Sequence, residues 1–174
     1  MKHTYYAKRE YRAGFTLLEV LLVTTIIGIM AAVTLTFAGD IRSRKEVEVA
    51  GREMTGVLRE VQQYALTGRQ IVANTTPCTF SVSWNAGSGS YTANYSYRDS
   101  NGVCNLSSTI NTYTHKNGVI FTNTGTVTFQ VPYGTPTFPG TSVGANLSKQ
   151  SVVGAICTYQ MGRVENVVGT TTCP

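Results

Sequence analysis

Between Phe15 and Ala38 the chain reads FTLLEVLLVTTIIGIMAAVTLTFA, 24 residues in which Glu19 is the sole charge. As a helix rising about 1.5 Å per residue, this run covers roughly 36 Å, enough to cross a hydrocarbon layer of about 30 Å with some tilt. Ahead of it, residues 1–14 (MKHTYYAKREYRAG) set Lys2, Lys8, Arg9 and Arg12 against Glu10. That net positive flank stays in the cytoplasm and orients the segment as a single pass with its start inside. A secretory signal peptide would have a shorter apolar core followed by small residues. Ala31 and Ala32 keep cleavage after the segment open as the rival reading.

Glu19 is the most informative single residue. A carboxylate near the bilayer centre costs about 2.5 to 3.5 kcal/mol, less toward an end, so its presence signals a partner. One reading is that it complements the positive end of the helix dipole, worth about 0.3 to 1 kcal/mol. The other supposes a cut between Gly14 and Phe15, which creates an ammonium group four residues away from the carboxylate at the same helix end.

The run Gly14-Phe15-Thr16-Leu17-Leu18-Glu19-Val20 and the apolar segment after it resemble the processing signal of type IV prepilins and type II secretion pseudopilins. The resemblance implies that a prepilin peptidase in the membrane cuts after Gly14 and methylates the new amine of Phe15. It implies that Glu19 is the assembly carboxylate, meeting the terminal amine of a neighbouring subunit. It also implies as partners other pilin or pseudopilin subunits, an inner-membrane assembly platform, and membrane lipid before assembly. One departure stands at Thr36, where many major pilins have a helix-kinking proline. It weakens a major-pilin assignment more than it weakens pilin-like processing.

At 174 residues, the chain has room for one domain and an appendage, and with 42% apolar and 13% charged residues it buries a core. Val47, Met54, Leu58, Val61 and Ala65 recur at spacings of three, four and seven. Arg52, Glu53, Arg59, Glu60, Gln62 and Gln63 fall mostly elsewhere, so an amphipathic helix continues the membrane segment and stops at Gly68. Gly39, Gly51 and Gly56 each weaken it by about 1 kcal/mol relative to alanine, and bending or local melting is expected near Gly39. The expected organisation is a leader at 1–14, an assembly helix at 15–38, its amphipathic continuation at 39–69 and a β-rich extracytoplasmic domain at 70–174.

Past Gln70, Ser, Thr, Asn, Gly and Tyr dominate. Cys78, Phe80, Val82 and Trp84, then Tyr91, Ala93, Tyr95 and Tyr97, alternate around a turn at Asn85–Ser90, which predicts a hairpin. Val119–Phe121 and Val127–Val131 around Asn123-Thr124-Gly125 predict a second hairpin, and Pro132, Pro136 and Pro139 a loop. Val153–Met161 reads as a late strand, with a short one over Arg163–Val168. Six or seven strands on an apolar helix face make an α+β fold, a long N-terminal helix packed on antiparallel sheet.

Cys78, Cys104, Cys157 and Cys173 form no CxxC pair, so disulfides in an oxidising compartment fit better than zinc. Of three pairings, Cys78 with Cys104 and Cys157 with Cys173 keep partners local, and the second would tether the C-terminus, as the disulfide loops of many pilins do. The stretches Val61–Arg69, Val119–Phe129 and Gly162-Arg163-Val164 resemble the GspH and FimT group of minor pilins and pseudopilins.

Catalysis has little to work with, and no metal or cofactor motif appears. Gly140-Thr141-Ser142-Val143-Gly144 matches GxSxG, but no histidine follows it, and a Gly, Ser and Thr-rich loop explains it. His115, beside Lys116 and Asn117, reads as a surface turn residue. DNA binding is the alternative function. Some FimT-like minor pilins bind DNA through a C-terminal GRxR element, and here Gly162-Arg163-Val164-Glu165 places a carboxylate where the second cation would stand. Arg163, Lys149 and Lys116 are the candidate contacts. Arg163 otherwise reads as a strand-edge residue paired with Glu165. Residues 71–174 hold four cations against two acids, too few for a broad basic face.

Overall fold

The computed structural model describes residues 15–138 and 142–174, with 35–38 described by backbone alone. The leader and Gly14 lie outside the described residues, as do Pro139, Gly140 and Thr141. Among the described residues a single helix, α1 (Leu17–Thr67), is followed by nine strands: β1 (Pro77–Trp84), β2 (Ser90–Tyr97), β3 (Leu106–Thr114), β4 (Ile120–Phe121), β5 (Gly125–Gln130), β6 (Pro136–Thr137), β7 (Ser142–Lys149), β8 (Val152–Tyr159) and β9 (Val164–Val168). Residues up to Gly39 form one compact unit and Asp40–Pro174 another. The fold is α+β, a long helix packed against antiparallel sheets.

In the first unit every described side chain from Phe15 to Thr34 is exposed. The hydroxyls of Thr24, Thr25 and Thr34 donate back to carbonyls one turn earlier, Thr25 to Leu21 at 2.5 Å and Thr34 to Met30 at 3.1 Å. These bonds satisfy polar groups that an apolar surround could not. The backbone is helical through Gly39, where bending or melting was expected. With no proline to remove a donor, one glycine costs only about 1 kcal/mol and leaves the hydrogen-bond ladder intact.

In the second unit Val47, Met54, Leu58, Val61 and Ala65 are all buried, as the periodicity predicts. The helix ends in a glycine cap: Gly68 has φ 60°, its N–H bonds Ala65 O at 3.3 Å, and Arg69 N–H bonds Tyr64 O at 3.0 Å. Onto this face pack two antiparallel sheets, ordered β3-β2-β1-β5-β6 and β4-β7-β8-β9. Phe80, Trp84, Tyr95 and Phe129 from the first and Phe121, Leu147 and Ile156 from the second join the helix residues in one core. Gly51 makes room for the Asn166 side chain. A Cβ there would lie 2.3 Å from Asn166 Oδ1, and Asn166 Nδ2 donates to Glu48 O at 3.1 Å, tying β9 to the helix.

The β1–β2 hairpin, β8 and β9 form where the alternation placed them. The second expected hairpin does not. β4 pairs with β7 in one sheet and β5 with β1 in the other. The divergence turns on Asn123, whose Nδ2 donates to Gly144 O at 2.7 Å while its Oδ1 accepts Asn146 N–H at 2.8 Å, so the supposed turn residue binds β7. Three strands also form where none was predicted, the two-residue β6 among them, inside the stretch that the prolines marked as a loop. β3 is mostly Ser, Thr and Asn, and β7 occupies Ser142–Gly144 of the stretch read as a loop. Disulfides join Cys78 to Cys104 and Cys157 to Cys173, each stabilising by about 3 kcal/mol in the loop-entropy account.

Candidate functional site

The candidate site is the start of α1. Thr16 caps it: its Oγ1 accepts the Glu19 N–H at 3.2 Å, and its carbonyl accepts those of Glu19 and Val20 at 3.1 and 3.2 Å. Glu19 thus stands at the third helical position, where a carboxylate favours the positive helix end by about 0.3 to 1 kcal/mol. The capping role of Thr16 is a feature the sequence reading missed. Its signal was present as Thr16-Leu17-Leu18-Glu19, the S/T-x-x-E pattern before an apolar run. Among the described residues nothing bonds the Glu19 carboxylate, which is exposed in the first turn beside Phe15, itself 83% exposed. Leu17, Leu18, Leu21, Ile27 and Met30 continue the exposed apolar surface. The arrangement is an acid at one end of an apolar rod, with charge and greasy area both unpartnered among the described residues.

Of the candidate DNA contacts, Lys149 and Lys116 fall together beside Glu46 and Asn117, while Arg163 lies where β8 turns into β9. Lys149 Nζ bonds the Glu46 carboxylate and Asn117 O, and Glu46 also holds Arg42 at 3.1 Å. The Lys149 bond, with Arg42 assisting, holds the Glu46 carboxyl below the usual range. Arg163 pairs with Glu165 and lies over the Tyr159 ring at 5.4 Å, and its guanidinium is held above its ordinary value by Glu165. Lys116 lines an open groove of about 320 Å³ with Arg42, Lys45, Val49 and the Glu46 and Asn117 that Lys149 bonds. Two of the three cations therefore have carboxylate partners.

His115 is not the surface residue the sequence suggested. It is 5% exposed, between the rings of Tyr91 and Phe121, both with centroids 5.1 Å away. Its own N–H bonds Gly89 O at 2.8 Å, which draws it beside β2 while Lys116 and Asn117 turn away. Among the described residues neither ring nitrogen has a hydrogen-bond partner, and burial pushes its pKa down to about 4. Ser142 lies on β7, so the described part of the GxSxG match, Ser142–Gly144, belongs to a strand. Among the described residues no three His, Cys, Asp or Glu gather as a metal site.

A long helix with an apolar N-terminal half and a β-rich remainder defines a pilin-like α+β protein. Residues 9–35 match the family model described as the prokaryotic N-terminal methylation motif, so the N-terminal part of the chain carries that motif. Two fimbrial proteins of Pseudomonas aeruginosa are each 36% identical over 64 residues, covering 37% of this chain and 42% of theirs. Type II secretion system protein H of Aeromonas hydrophila is 38% identical over 66 residues, covering 37% of this chain and 36% of its own. The chain thus spans less than half the length of the curated relatives it matches. No solved structure matches it.

Proposed function

We propose that the chain is a non-enzymatic minor pilin or pseudopilin subunit, held in the inner membrane by residues 15–38 with its start in the cytoplasm. Prepilin peptidase cuts between Gly14 and Phe15 and methylates the Phe15 amine. The mature helix then leaves lipid through an assembly platform and packs beside other subunits in an extracytoplasmic filament of the type IV pilus or type II secretion kind. Glu19 carries the reading. It is the only ionisable group in 24 apolar residues, it is exposed, and it lies within one turn of the amine that cleavage creates. In lipid or between packed helices, a carboxylate and an ammonium are each costly alone, and pairing removes most of that cost, so each favours the other as its partner.

DNA binding gains no support from the geometry, because Lys149 and Arg163 already neutralise Glu46 and Glu165. Mass spectrometry of the protein from a host with prepilin peptidase is expected to find N-methylated Phe15 as the first residue; an intact Met1 end would overturn the reading. Glu19→Ala is expected to be processed normally yet incorporated into filaments at least about tenfold less, the effect of losing a charge-assisted bond of about 1.5 to 3 kcal/mol. Undiminished incorporation would remove Glu19 from the assembly contact.

A further inference from the structure

The two sheets end in four edge strands, and three offer little to pair with. β9 is held against α1, where Arg59 Nη2 donates to Val164 O at 3.2 Å and Asn166 Nδ2 to Glu48 O at 3.1 Å. β4 and β6 are two residues each. β3 is different. It is nine residues long and mostly exposed, and among the described residues it pairs only with β2.

An open edge presents a row of main-chain donors and acceptors, and proteins that avoid pairing there place Lys, Pro or an inward charge on it. β3, with the sequence LSSTINTYT, carries none of these. Indeed no charged residue occurs on any of the five strands of its sheet. Two local features temper the edge. The register with β2 slips between Ala93 and Asn94, and Asn111 Oδ1 takes the Thr112 N–H at 2.9 Å. Neither blocks the strand along its length.

We propose that β3 pairs antiparallel with β3 of a second copy of this chain, joining two five-stranded sheets edge to edge about a two-fold axis. A second copy fits for chemical reasons. Every hydroxyl and amide on β3 both donates and accepts, so the strand turned against itself sets Ser, Thr and Asn opposite one another, a favourable class of cross-strand pair. No like charges meet, and a two-fold contact needs only one self-complementary patch. The contact is smaller than the roughly 1,200 to 2,000 Å² of a stable complex, so it forms where copies are concentrated. It depends neither on cleavage at Gly14 nor on Glu19, and its test reads neither.

The test is hydrogen exchange on the full chain in detergent micelles at low and high protein concentration. The amides of Leu106–Thr114 that point away from β2 are expected to slow by about tenfold or more at high concentration, as pairing removes their access to solvent. Thr112→Lys is expected to abolish that protection while leaving the melting temperature unchanged, and Thr109→Ser is expected to retain it. Three outcomes would overturn the proposal: exchange of β3 independent of concentration, protection confined to Phe15–Ala38, or protection that survives Thr112→Lys. Slowing of β3 only on adding an unrelated extended peptide would also overturn it, since the edge would then take a foreign strand.

Discussion

Residues 17–38 and 40–67 belong to one α-helix but find their apolar partners in different places. The first stretch is greasy on all sides, and its described side chains are exposed around the whole circumference. The second keeps Val47, Met54, Leu58, Val61 and Ala65 in one stripe, which its own two sheets cover. A helix apolar all round needs lipid or other chains, whereas a striped one can be satisfied within its own domain. The comparison separates two kinds of residue: those whose substitution harms the fold and those whose substitution harms what the fold is attached to.

Leu58→Ala should break the second half most. Leu58 is 1% exposed, and truncation is expected to cost about 2 to 5 kcal/mol, read as a lowered midpoint in denaturant. Ile27→Ala, at a 61% exposed position, should leave that midpoint within about 0.5 kcal/mol. A large effect at Ile27 on the isolated chain would erase the distinction.

Acid comes next. Folded His115 holds off its proton until about pH 4, while the unfolded chain takes it at the ordinary 6.5. The unfolded state therefore binds more protons between those values, and stability should fall as pH drops through that window, by about 3 kcal/mol in all. The groups facing His115 are the rings of Tyr91 and Phe121, with Glu53 acting on Tyr91, whose hydroxyl burial keeps protonated. Glu46 and Asp99, both held below their ordinary range, add acid sensitivity only at lower pH. Unfolding titrations from pH 7 to 4.5 should thus lose most of their slope in His115→Phe; an unchanged slope would assign it elsewhere.

The smallest contrast lies between two glycines of the striped half. A Cβ at Gly56 would meet nothing within 4 Å, so Gly56→Ala should stabilise by about 0.5 to 1 kcal/mol through helix propensity. Gly51→Ala should not, because its Cβ would displace Asn166 and its bond to Glu48, worth about 1 kcal/mol. Equal gains at both positions, by thermal melting, would show that β9 does not depend on that approach.

Much of this architecture was legible in local pattern. The helix face, its Gly68 stop, the β1–β2 hairpin and β8 all rest on spacings within a few residues. So did the candidate site: Glu19 declared itself by standing alone in an apolar run, and Thr16 could have been read as its cap. β3 and β7 could not be read so, because Ser, Thr, Asn and Gly carry no apolar alternation to betray a strand. Their strand character comes from main-chain hydrogen bonds to the strand next along, β2 for β3 and β8 for β7, which side-chain composition does not announce. Arg163 could be matched with Glu165 two residues on, whereas Lys149 could not be matched with Glu46, 103 residues earlier.

By itself, the order of residues determined that an apolar rod with one buried-cost carboxylate leads a disulfide-bearing β domain, because hydropathy, charge and short-range periodicity act along the chain. Only tertiary structure decided that β4 and β5 part into different sheets, that His115 lies between aromatic rings, and that β3 is left with an open edge. Those outcomes depend on which backbone groups and side chains meet across long separations, and a main-chain donor has the same chemistry in every residue except proline.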